Sequence, residues 1–141
     1  MKRKKNLALY IDGENISAKK GQAIKKLVDK RGVIDYGKVY GLQKDNHTKA
    51  WTDFTKNVDN MKDIRLYGKP QKNKVDDKIK KDIITDIKAK SNIDIVVLAS
   101  SDHGYAEVIK QLRDAGKHVI VIGEEKTPAC LRKAPNKFVV I

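Results

Sequence analysis

Leu7 to Ile11 form a nearly continuous apolar run that stops at Asp12, and Gly13, Glu14 and Asn15 follow it. No other stretch narrows the fold as much. A short unbroken apolar run suits a strand buried on both faces, as in a parallel sheet. An acid at the carboxyl end of such a strand sits where open α/β sheets place their ligands. The device recurs late in the chain, where Ile95 to Ala99 runs into Ser100, Ser101 and Asp102. Two strands that each deliver an Asp at the same end share one acidic site if they lie side by side. Either Asp alone also reads as a helix N-cap, accepting hydrogen bonds from free backbone N–H groups. The repetition favours the shared site.

The rest of the chain alternates in the same way. A helical pattern covers Ile16 to Lys30, with Ala23, Ile24, Leu27 and Val28 on one face. Val33 to Leu42 reads as strand 2, and 43–48 as a polar loop. Trp51, Phe54 and Val58 share a helical face between Lys49 and Asn60, where they serve as core. Strand 3 spans Met61 to Tyr67 and ends at Gly68 and Pro70. The spacing of Ile79, Ile83, Ile84 and Ile87 predicts a helix over Val75 to Lys90. Strand 4 follows at Ile93 to Ala99, then a helix marked by Tyr105, Val108, Ile109 and Leu112. Strand 5 is His118 to Ile122, Pro128 opens a short helix, and a last strand covers Phe138 to Ile141.

Such alternation predicts an α/β protein: one three-layer domain over residues 1–141, with a parallel sheet between two layers of helices. Right-handed crossovers leave few allowed orders. Strand order 3-2-1-4-5 makes strands 1 and 4 neighbours and sets Asp12 and Asp102 across one crevice. The helix from Val75 begins at the same sheet edge, so Asp76 and Asp77 reach that crevice. Two adjacent acids in a first turn also complement the helix dipole.

Charge narrows the partner. The 141 residues carry 31 Lys and Arg against 18 Asp and Glu, a net +13. A surplus of that size points to a polyanion, above all nucleic acid. It is unevenly placed: residues 69–81 hold six lysines, while Asp12, Asp76, Asp77 and Asp102 stand in apolar or basic surroundings. Acids retained in a basic protein suit divalent cations held beside a phosphate backbone. The basic segment supplies Lys69, Lys72, Lys74 and Lys78 as expected nucleic-acid contacts. The single cysteine, Cys130, leaves no intramolecular disulfide and argues against a Cys-based zinc site. No apolar run approaches the roughly 20 residues of a membrane span. The basic N-terminus precedes too short an apolar run for a secretory signal, and the expected location is the cytoplasm.

Converging carboxylates repel one another unless a cation neutralises them. Hard oxygen donors suit Mg²⁺ or Mn²⁺, and such an ion activates water and stabilises phosphoryl charge. Asn15 offers an amide to orient a water or phosphate, and Ser100 and Ser101 offer donors to a phosphate.

In these residues the chain resembles the NYN domain family, a branch of the PIN-like metal-dependent ribonucleases. The resemblance rests on Ile11-Asp12-Gly13-Glu14-Asn15, on Val75-Asp76-Asp77 opening a helix, and on Ala99-Ser100-Ser101-Asp102. The C-terminal run from Gly116, with Lys126-Thr127-Pro128, Leu131 and Phe138, extends it over nearly the whole chain. It implies a 3-2-1-4-5 sheet and an endoribonuclease that hydrolyses RNA phosphodiesters at an acidic Mg²⁺ or Mn²⁺ site. Carried across, Asp12, Asp76, Asp77 and Asp102 are the metal ligands, and Asp12, Asp76, Asp102 and Asn15 the catalytic set. Ser101, His103 and Thr127 join the lysines as substrate-binding residues. One departure stands out: family members commonly carry another acid two residues after the serine-flanked Asp, and here that position is Gly104. Its loss bears on a second metal ion. Asp82, farther along its helix, offers a substitute acid, though such a residue is surface more often than ligand.

A second reading keeps the fold and the RNA but not the cutting, as a PIN-like binding or adaptor module. Homodimerisation stays open under both. A phosphoacceptor receiver domain shares the α/β design. It would want an acidic pair after strand 1, an Asp after strand 3 and a Lys after strand 5, whereas here strand 1 ends in Asp-Gly-Glu, strand 3 in Gly-Lys-Pro and strand 5 in Gly-Glu-Glu.

Overall fold

The computed structural model describes residues 4–42, 49–69, 71 and 73–141. The loop expected at 43–48, the strand end at Pro70, and Lys72 lie outside them. The strands are β1 (Asn6–Asp12), β2 (Val33–Leu42), β3 (Met61–Leu66), β4 (Ile95–Ala99), β5 (His118–Gly123) and β6 (Lys137–Val140). Between them run α1 (Gly21–Asp29), α2 (Thr52–Asn57), α3 (Lys74–Ala89), α4 (Ala106–Asp114) and α5 (Ala129–Lys133). The sheet order is β3-β2-β1-β4-β5-β6, parallel at every pairing. The expected five-strand order is present, and β6 extends it beyond β5.

Strand β1 explains its own apolar run. Leu7, Leu9 and Ile11 pack with Ile24, Val28, Trp51 and Phe54 on one side. Ala8 and Tyr10 pack with Ile79, Ile83, Val108, Ile109 and Leu112 on the other. Alternate residues of one strand feed two helical layers, so no position along it tolerates a charge until the strand ends. β4 divides in the same way: Ile95, Val97 and Ala99 join the first core, and Val96 and Leu98 the second.

Two helices differ from the periodic reading at their ends. The first starts at Gly21 rather than Ile16, because the Asp12 carbonyl accepts the N–H groups of Asn15 and Ile16 and folds 13–17 into turns. A single 3-10 turn, Ala18–Lys20, with Ser17 capping it, bridges to α1. The second shortens to Thr52–Asn57: Trp51 is its N-cap, and Val58 is already extended. Trp51 is fully buried and donates Nε1–H to the Ile16 carbonyl at 3.1 Å, tying this segment to the turn after β1.

Among the described residues, no helix is long and apolar enough to cross a membrane.

Candidate functional site

Residues β1 and β4 pair in parallel with Ile11 opposite Ala99, so Asp12 and Ser100 leave the sheet side by side. Beyond this point β1 connects towards β2 and β4 towards β5, which opens the crevice that parallel sheets use for ligands. A cleft of about 300 Å³ lies there, lined by Asp12, Asn15, Asp76, Asp102, Glu14 and residues at the start of α3. Three of the four expected metal ligands therefore face one cavity. The fourth, Asp77, does not: its side chain is 71% exposed and lies 3.9 Å from Lys80 Nζ.

Asp12 is only 4% exposed. Its Oδ2 accepts from Tyr105 Oη at 3.2 Å and stands 3.4 Å from Ser100 Oγ. Burial pushes its carboxyl from the ordinary 3.8 up to about 6; the Tyr105 hydrogen bond opposes this and the charge of Asp76 adds to it. Asp76 is 6% exposed, and its Oδ1 is buried with no hydrogen-bond partner. Its carboxyl is also raised, first by burial and then by the charge of Asp102, against which Lys80 pulls it down. Asp102 caps the 3-10 turn His103–Tyr105, its Oδ1 accepting from the Gly104 N–H at 3.0 Å. The capping and acidic-site readings of Asp102 are thus compatible.

Asn15 binds the second turn to the first. Its Oδ1 accepts from the Ser101 N–H at 2.7 Å and lies 3.5 Å from Ser100 Oγ. Ser100 Oγ also accepts from the Asp102 N–H at 3.1 Å. Ser101 Oγ accepts from the Glu124 N–H and lies 2.9 Å from Thr127 Oγ1. Ser101 and Thr127, expected at the substrate, are 6% and 4% exposed and face each other inside the protein. What they hold in place is the turn that carries Asp102. Two glycines make this packing possible. A Cβ at Gly13 would stand 2.6 Å from the Tyr40 carbonyl oxygen, and one at Gly123 would stand 2.6 Å from Thr127 Oγ1.

His103 projects outward, with Nδ1 3.6 Å from Asp102 Oδ1. The lysines expected to meet RNA are used unequally. Lys74 donates to the carbonyls of Tyr67 and Lys69, and Lys78 pairs with Asp82 Oδ1 at 3.0 Å. Lys69 is exposed, and Lys72 lies outside the described residues.

Two side chains were not singled out from the sequence, and a third does more than its surface reading implies. Tyr105 read only as a helix-facing aromatic, yet its hydroxyl holds Asp12. Lys80 is one helical turn beyond Asp76, a spacing that places both on one face. Asp82, read as surface, accepts from Tyr40 Oη at 2.7 Å.

Whether these residues suit a cation turns on their donors. Among the described residues, no three Asp, Glu, His or Cys side chains are grouped closely enough to enclose a metal ion. Mg²⁺ and Mn²⁺ do not need such a cage, because they keep several waters and bind through one or two carboxylates plus substrate phosphate. A buried, unpartnered carboxylate oxygen beside a second buried acid is an all-oxygen donor set of that kind. The residues fit.

A parallel sheet with an acidic cleft at its switch point defines the class, and comparison with known proteins supplies the family. The NYN domain matches residues 6–141. The chain belongs to the NYN domain family, which is built on a PIN-like nuclease fold. Among solved structures, it is similar to a protein of unknown function from Vibrio parahaemolyticus, at 19% identity and a TM-score of 0.77, covering 100% of this chain and 96% of that one. MurG from Acinetobacter baumannii is more remote: 14% identity and a TM-score of 0.55, over 95% of this chain and 40% of MurG. Both likenesses are of fold. No curated protein matches the chain.

Proposed function

We propose that this protein is a divalent-metal-dependent endoribonuclease acting at the cleft between β1 and β4. One observation carries the reading: the unpartnered, buried Oδ1 of Asp76 in a cleft shared with Asp12 and Asp102. An isolated buried carboxylate is costly, and a group kept under that cost in a strongly basic protein calls for a cation. Mg²⁺ or Mn²⁺ would be held through one or two of the carboxylates of Asp12, Asp76 and Asp102, with waters completing its shell. When bound, the ion supplies an activated water and charge stabilisation on the phosphoryl oxygens.

The chain's own residues do the rest. Asn15 locks the Ser100–Asp102 turn to β1 and so fixes the spacing of the acids. Tyr105 holds Asp12 in one orientation through its hydroxyl. Asp77 lies at the rim of the set, where it shapes the local charge without joining the buried pair. His103 and Lys69, both at the surface, would meet the RNA backbone.

The test is cleavage of a mixed RNA pool by the purified protein, with Mg²⁺, Mn²⁺ and chelator arms. Cleavage is expected with metal and stronger with Mn²⁺, and it should disappear in Asp12→Asn and Asp102→Asn. Equal cleavage in excess chelator, or full activity in Asp12→Asn, overturns the reading. RNA binding without cleavage under any metal makes the protein a binding module instead.

A further inference from the structure

Gly104 marks a point where opposite charges meet. A Cβ there would lie 3.5 Å from Asp102 Oδ1, 3.5 Å from Asp76 Oδ2 and 3.3 Å from Lys80 Nζ. Two carboxylates of the cleft and one ammonium thus surround a gap the size of a methyl group. Lys80 reaches it from α3, one turn beyond Asp76. Its side chain is about a third exposed, at 32%. The ammonium also stands 5.8 Å from the centre of the Tyr105 ring, whose hydroxyl holds Asp12. Its single ion pair among the described residues is a loose one, 3.9 Å to Asp77 Oδ1. The cation is held near the acids without being neutralised by a close hydrogen bond.

Charge in that position has a consequence for phosphoryl chemistry. A phosphodiester passing to its transition state gathers negative charge on its non-bridging oxygens, and fixed cations aimed there lower the barrier. A lysine ammonium is a point charge with three donors on a flexible stem, suited to following that charge. We propose that Lys80 is a phosphate-contacting residue of this site, and that its ammonium provides beside Gly104 the fixed positive charge that a second metal ion would otherwise provide. The site then takes one divalent ion per chain. The pull that Lys80 exerts on the Asp76 carboxyl accords with this placement.

This proposal rests on the nuclease reading above, and the two fail differently. The experiment titrates the full-length protein and its Lys80→Met and Lys80→Arg variants with Mn²⁺ by calorimetry, then follows cleavage of one defined single-stranded RNA at saturating Mn²⁺. Wild type is expected to bind one ion. Lys80→Met should bind Mn²⁺ several-fold more tightly, since a like charge leaves the carboxylates. It should also cleave about 10²–10³-fold more slowly, the usual loss when one donor to a developing oxyanion is removed. Lys80→Arg should recover most of the rate, and all three proteins should melt within a few degrees of one another. Two ions bound per wild-type chain overturn the proposal, as does a Lys80→Met variant with unchanged rate or weakened Mn²⁺ binding, and the nuclease reading survives those results. A wild type that neither binds Mn²⁺ nor cleaves overturns both.

Discussion

Asp12 is where structural and chemical demands on a single side chain can be told apart by sign. A carboxyl raised in the folded protein binds its proton more tightly folded than unfolded. Between the unfolded value near 4 and the folded value of about 6, the native state therefore carries more protons, and stability falls as pH rises through that window. Above pH 6 the metal-free protein holds a buried charge that opposes folding. Asp12→Asn removes it, and at pH 7 the metal-free variant should be more stable than wild type by about 1–2 kcal/mol, or roughly 3–6 °C in Tm. Were Asp12 only a turn-capping residue, the change would go the other way by about 1 kcal/mol. Thermal melts at pH 4.5 and pH 7 decide it: the gain should appear at pH 7 and shrink at pH 4.5, and a loss at pH 7 refutes the argument. Metal adds a second reading of the same group, because a cation needs the carboxylate form. Mn²⁺ affinity should fall about tenfold from pH 7 to pH 5, as Asp12 takes up a proton near 6.

Helix α3 shows what an element contributes and how much of it the sequence carries. Its isoleucine stripe was legible by period alone, and Ile79 and Ile83 are indeed buried against the sheet. The acids on its first turn were legible too, but their division was not. Asp76 and Asp77 are adjacent in sequence, and a single step of about 100° around the helix buries the first and exposes the second. The polar anchors under the helix escaped for a different reason. Tyr40 Oη donates to Asp82 and Tyr10 Oη to Asp86, while Lys38 pairs with Asp86 at 2.8 Å. These are pairs between strand and helix more than 40 residues apart in places, and no local pattern announces them. Asp82 belongs to that framework. Asp82→Ala leaves the hydroxyl of the buried Tyr40 without its acceptor, and an orphaned buried donor costs about 1–3 kcal/mol. Adding Tyr40→Phe removes the donor, so the double variant should recover part of that loss. Denaturant unfolding of the four proteins in the cycle measures the coupling, and strict additivity would show that the pair does not anchor the helix.

At the scale of the whole molecule, a net charge of +13 surrounds a cleft whose own charge is negative. Under the proposed function, RNA would be drawn by one part of the surface and cut at another. The attraction is long-ranged and screened by salt, and the acids oppose it at short range until a cation is present. Not all lysines near the cleft are equally free to serve. Lys74 closes the turn after β3 through backbone carbonyls, and Lys78 is paired with Asp82, whereas Lys69 is exposed. Binding of a single-stranded RNA in chelator should weaken with salt, by a slope of about −0.7 in log K per phosphate neutralised. Lys69→Gln should make that slope shallower by about 0.7, the share of one phosphate, and Lys78→Gln by distinctly less, because its charge is already balanced. Asp12→Asn and Asp102→Asn should bind the same RNA at least as tightly as wild type in chelator, since each removes a negative charge from the path of the phosphates. Fluorescence anisotropy across a salt series gives all of these slopes. Equal effects of Lys69→Gln and Lys78→Gln would mean that the RNA displaces the Lys78–Asp82 pair. Weaker binding by the Asp variants would mean that the acids hold RNA directly and not through a cation.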